Sequence, residues 1–111
     1  MPIPLEIDAA EVKRRLDAGE PMFLVDVREP QERAVASIAG SDLVPMRSLP
    51  AALGELQRRA AEAPMVVYCH HGVRSLNAAA WLRNQGIENC RSMSGGIDLW
   101  SVEIDPRVPR Y

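Results

Sequence analysis

The sequence predicts an α/β domain built on a mostly parallel sheet of about five strands, flanked by helices on both faces. Three observations carry that prediction. Met22–Val27 and Met65–Tyr68 are nearly continuous apolar segments rich in β-branched residues, the pattern of strands covered on both faces. Segments with apolar residues at helical spacing separate such runs along the chain. The length of 111 residues fits one domain, residues 1–111, and an apolar fraction of 47% is enough to bury a core without disulfide or metal staples.

Taken in order, Leu5–Ile7 reads as a short edge strand behind Pro4, which lacks a ladder donor. Asp8 followed by Glu11 resembles a capping box and opens a helix with Ala9, Val12 and Leu16 on one face, ended by Gly19. Met22–Val27 is the first covered strand. Pro30–Val35 reads as one or two helical turns, with Pro30 at the first position, where its missing N–H costs nothing. Gly40 marks a turn and Asp42–Pro45 a short strand. Ser48 is read as an N-cap, with Pro50 in the first turn and Leu49, Leu53, Leu56 and Ala60 as the apolar stripe of the helix that follows. Pro64 leads into the strand Met65–Tyr68. The Ala-rich segment Leu76–Arg83 is the next helix, with Ala78, Trp81 and Leu82 on one side and an end at Gly86. Ile87–Met93 holds the last strand, and Gly95-Gly96 turns the chain into a helix carrying Ile97, Trp100 and Ile104. The tail, 105–111, contains two prolines and cannot continue a helix.

A formal net charge of −2 gives no global attraction to nucleic acid or to an anionic membrane, so any anion site must be local. The two cysteines form no CxxC pair and no zinc-type spacing, which fits unpaired thiols in a reducing compartment. The N-terminal residues lack the basic and apolar segments of a secretory signal, and no stretch is long enough to span a bilayer. A cytoplasmic location is the resulting expectation.

The chemistry is concentrated in Cys69-His70-His71-Gly72-Val73-Arg74-Ser75, between a covered strand and a helix. Open α/β sheets bind ligands at this carboxyl edge. A helix N-terminus presents unpaired N–H groups and a positive dipole end to an anion. A thiolate is such an anion, so Cys69 is read as the nucleophile. Gly72 permits a tight loop whose N–H groups converge, and Arg74 can make a bidentate contact to an oxyanion. As imidazolium, His70 and His71 would add to thiolate stability. Adjacent histidines without a third ligand nearby do not make a metal site, and neither metal nor other cofactor is expected. Cys90, Trp81 and Trp100 read as core. Asp26 and Arg28 lie at the same sheet edge and read as supporting residues, in an ion pair or a loop hydrogen bond, ahead of direct substrate contact.

Four landmarks, Asp26-Val27-Arg28-Glu29-Pro30, Ile38 with Gly40, the loop Cys69-x-x-Gly72-x-Arg74-Ser75, and Gly95-Gly96-Ile97 with Trp100, occur in order over essentially the whole chain. In these the sequence resembles the rhodanese-like sulfurtransferases. Its second half, ending Ile104-Asp105-Pro106…Pro109-Arg110-Tyr111, looks most like the rhodanese module fused behind E1-like enzymes that activate small sulfur carriers. The resemblance implies a persulfide carried on Cys69, a donor such as thiosulfate or a persulfide, and a thiol or a sulfur-carrier protein as acceptor. No such activating enzyme precedes the module here, so it is expected to act alone or with a separate partner. Ala36-Ser37 stands where many members have Gly-His, and Arg33 where an aromatic residue is common.

Two rival readings share the cysteine. One is a sulfur-relay or docking module, with Arg28, Arg33, Arg47 and Arg74 as a basic rim guiding an acidic partner. The other is a Cys-dependent phosphatase or arsenate reductase, whose loops place one more residue between Cys and Arg than the interval from Cys69 to Arg74 provides. The shorter loop favours a single sulfur atom over a tetrahedral oxyanion.

Overall fold

A computed structural model describes residues 3–111. Five strands, β1 (Glu6–Ile7), β2 (Phe23–Asp26), β3 (Asp42–Leu43), β4 (Met65–Tyr68) and β5 (Arg91–Met93), form one sheet in the order β1-β5-β4-β2-β3. Every neighbouring pair is parallel. The helices between them are α1 (Ala9–Asp17), α2 (Pro30–Val35), α3 (Leu49–Ala60), α4 (Val73–Asn84) and α5 (Gly96–Leu99), and α5 continues as a π-helical turn, Trp100–Ile104.

Side chains alternate across a strand, so β2 and β4 feed two cores. Phe23, Val25, Met65, Val67 and Cys69 pack with Leu49, Leu56 and Ala60 of α3 and Ala78, Ala79 and Leu82 of α4. Leu24, Val66 and Tyr68 pack on the other face with Ala9 and Val12 of α1 and Ile97 and Trp100 beyond β5. Coverage on both faces is why these strands read as unbroken apolar runs.

The chain follows the predicted order, with four local departures. Asp8 caps α1 as expected, accepting from Glu11 N–H at 2.7 Å. Ser48 does not cap: Met46–Ser48 is already a 3-10 turn, Ser48 has helical dihedrals, and its side chain makes no cap bond. The last strand is shorter than Ile87–Met93, because Cys90 N–H turns back to Ile87 O at 3.3 Å. α4 begins at Val73, so Arg74 and Ser75 belong to its first turn. Glu29 and Glu32 form a reciprocal capping box at the start of α2 that was not anticipated from the sequence. No helix among the described residues is long and apolar enough to cross a membrane.

Candidate active site

Cys69 is the first residue after β4, at the carboxyl edge of the central strand, and is 1% exposed. Its Sγ accepts from Gly72 N–H at 3.1 Å and Ser75 N–H at 3.3 Å. Both donors are available because of where α4 starts. Gly72 is its N-cap, and the first amides of a helix have no intrahelical partner. Gly72 adopts φ +105°, a conformation open to glycine and closed to most other residues. The buried Ser75 hydroxyl lies 3.4 Å from Sγ and 2.7 Å from Ser92 Oγ, which anchors the first turn of α4 to β5.

The carbonyls of the loop are tied down from the opposite side. Ile97 N–H donates to Cys69 O at 2.9 Å and Asp98 N–H to His70 O at 3.0 Å. With the carbonyls held by α5, the loop presents its amides to the sulfur. This clamp requires Gly96: a Cβ there would lie 2.4 Å from His70 O and 2.5 Å from Cys69 O, and φ is +60°. Gly95-Gly96 therefore does more than turn strand into helix, and the sequence signal for it is the pair of glycines itself.

A second ring of contacts surrounds this centre. His70 stacks on Tyr111, with centroids 3.9 Å apart, and on His71 at 3.8 Å. Burial and the neighbouring His71 push the His70 imidazole below its usual range, which favours its neutral form. Tyr111 Oη donates to Glu32 Oε2 at 2.7 Å and accepts from Arg28 Nη1 at 2.8 Å. Arg74 binds both carboxylate oxygens of Glu32, at 2.8 and 2.9 Å. The Arg74 bond, aided by Tyr111, holds the Glu32 carboxyl down at about 2. Val73 is 70% exposed and contributes only its place in the first turn of α4.

Asp26 and Arg28 are fully buried and paired through Nε–Oδ1 and Nη2–Oδ2, both 2.8 Å. Arg28 also donates to Ala36 O at 2.6 Å, so each of its guanidinium nitrogens is engaged. Burial opposes the Arg28 charge, and the bonds to Asp26 and Tyr111 more than offset it. The expected basic rim does not form. Arg28 is inside the protein, Arg33 binds Asp26 and Ser41, Arg47 pairs with Glu29, and Arg74 with Glu32. Each of these arginines has an acid partner, with Arg28 and Arg33 sharing Asp26.

A rhodanese-like domain model matches residues 8–103. The chain belongs to the rhodanese-like domain family. Among curated relatives, it is 33% identical over its whole length to the adenylyltransferase and sulfurtransferase MOCS3-2 of Zea mays, of which it covers 24%. It spans about a quarter to a third of the length of the first such relatives. It is 34% identical to a sulfurtransferase of Allochromatium vinosum, with 86% of this chain and 87% of that protein aligned. Among solved structures, the rhodanese-related protein of Thermoplasma volcanium superposes with a TM-score of 0.77 at 32% identity, covering 97% of this chain and all of that one. In this rhodanese-like domain the Cys69 loop, the Gly95-Gly96 turn and the Asp26–Arg28 pair converge at one edge of the sheet. Sequence reasoning missed Glu32, Tyr111 and Asp98, which reach the site only through the fold.

Proposed function

We propose that this rhodanese-like domain is a sulfurtransferase that carries sulfane sulfur as a persulfide on Cys69. The observation that carries the reading is the pair of helix-terminal amides on Sγ, held inward by the clamp on the loop carbonyls. Fixed N–H donors stabilise a thiolate and the terminal sulfur of a persulfide without a metal or a general base. In the first half-reaction the Cys69 thiolate attacks the outer sulfur of thiosulfate or of a persulfide. The donor's S–S bond breaks, and sulfite or a thiolate leaves with the bonding pair. In the second, an acceptor thiolate attacks the outer sulfur of the Cys69 persulfide. The acceptor leaves as a persulfide and the Cys69 thiolate is restored. Arg28 and Asp26 hold the loop's surroundings and do not touch the sulfur.

The test is intact mass after exposure to thiosulfate or a low-molecular-weight persulfide. A gain of one sulfur, located on Cys69 and reversed by a thiol reductant, is expected. A Cys69→Ser protein that transfers sulfur at the wild-type rate would overturn the mechanism.

A relay role, with a sulfur-carrier protein as acceptor, is the second reading. It is supported by the relatives in which such a domain lies in a protein also named an adenylyltransferase. It is also supported by the closure of Arg74 on Glu32, which leaves no free guanidinium fork for a small dianion. Capture of a carrier or its activating enzyme in a pull-down is expected, and repeated failure to enrich either counts against it. The same closure weighs against phosphatase or arsenate reductase chemistry, where an arginine must face the oxyanion above the thiol.

A further inference from the structure

We propose that His70, His71 and Asp98 form a binding site for a divalent transition-metal ion of the zinc class beside the Cys69 loop. Each residue offers one ligand atom, and these atoms lie within 4.8 Å of one another. His71 Nε2 is 4.0 Å from Asp98 Oδ2. Two imidazoles and one carboxylate, with a fourth position left to water, are an established donor set for zinc. From the sequence the two histidines lacked a third ligand. The fold supplies it from α5.

The main chain brings the donors together, and the exposed His71 ring closes the remaining gap to the roughly 3.3 Å that zinc bonds of about 2.0–2.1 Å set between ligand atoms. Asp98 N–H donates to His70 O at 3.0 Å, so the hydrogen bond that clamps the loop also sets the carboxylate beside the two rings. Tyr111 stacks on His70 and limits its rotation. His70 Nε2 is buried and has no hydrogen-bond partner. Such a nitrogen is costly to leave unmatched, and coordination through it would remove the deficit.

Arg110 competes for the same carboxylate, with Nε–Oδ1 at 2.9 Å and Nη2–Oδ2 at 3.2 Å. Its side chain is exposed, and exposed pairs of this kind hold weakly. A dication therefore displaces Arg110 or shares Asp98 with it.

The site depends on no reading of the reaction at Cys69, and its test uses no activity. Zn2+ is titrated calorimetrically into a Cys69→Ser protein, which removes the loop thiol as a ligand while Cys90 stays buried. One saturable equivalent is expected. His71→Ala and Asp98→Asn should each weaken it by about tenfold or more, at least the effect of losing an outer-sphere partner. Arg110→Gln should tighten it by freeing the carboxylate. Co2+ should give the visible bands of a tetrahedral site. His70 and His71 are the only histidines in the chain, so their imidazole resonances should shift together on zinc addition. Both ligand changes leave the main-chain clamp intact, and a thermal melt checks that the proteins fold. Failure to saturate at one equivalent, or affinity unchanged in both ligand variants, overturns the proposal. An unchanged affinity in Asp98→Asn overturns the assignment of Asp98 as a ligand.

Discussion

Cys69 and Cys90 belong to the same core, are both unpaired, and are 1% and 0% exposed. Burial does not distinguish them. Their hydrogen-bond surroundings do. Cys90 sits where the chain turns into β5, packed among apolar groups, and desolvation pushes its thiol up to about 12 against a weaker opposing effect of Arg83. Cys69 Sγ faces two amides at the start of a helix. The lesson is that two equally buried thiols of one core are told apart by the backbone groups around them, and exposure is a poor guide to the difference.

The largest test of that contrast is to remove each sulfur in turn. Cys69→Ser should drop sulfur transfer by about a thousandfold or more, as loss of a covalent nucleophile does. Cys90→Ala should leave the rate within about twofold while costing about 1–2 kcal/mol of stability for the buried atoms removed. Steady-state transfer rates and urea denaturation read both.

The second test acts on the cradle. Gly96→Ala places a methyl group against the Cys69 and His70 carbonyls, and overpacking with a disfavoured φ should cost about 2–4 kcal/mol. It should also slow alkylation of Cys69, making that thiol behave more like Cys90. Gly54→Ala is the control. Nothing beyond its own helix backbone and chain neighbours lies within 4 Å of its added Cβ, and in a helix interior the change should stabilise by about 0.5–1 kcal/mol.

pH separates the two environments further. The Cys90 thiol is raised in the folded protein, so its contribution is intact below about 8.5, the value of a free thiol. Above that pH the unfolded chain loses the proton while the folded one keeps it, and stability falls by up to about 1.4 kcal/mol per pH unit until about 12. Cys90→Ala should flatten the alkaline limb of a stability–pH curve. Glu32 gives the smaller, opposite limb. Its carboxyl is lowered to about 2, so its contribution is present above the usual carboxylate range and fades as pH falls toward 2. Glu32→Gln should remove that acid dependence.

What could be read from the sequence was local. β2 and β4 announced themselves as covered strands, Asp8 as a cap, Pro30 as a first helical residue, and the Cys69 loop as a strand-to-helix junction. The helix start at Val73 was missed because Val73-Arg74-Ser75 carries no apolar period and no side-chain cap, only Gly72 in a positive-φ conformation. The rest was missed because its contacts are distant in the chain. Glu32 meets Arg74, Tyr111 meets His70 and Arg28, and Asp98 meets His71 only when the sheet brings its carboxyl edge together. The basic rim failed for the same reason, since every arginine in it found an acid that the one-dimensional pattern does not pair.

The dependence of the Cys69 loop on α5 has a consequence in time. A nascent chain displays its cysteine well before Gly96, Ile97 and Asp98 have been synthesised, and until those residues dock, the loop carbonyls are free and the amides have no reason to face the sulfur. The half-made protein therefore carries the cysteine without its cradle. The cradle is complete only when the last helix docks, so on the proposed chemistry folding to completion comes before sulfur loading.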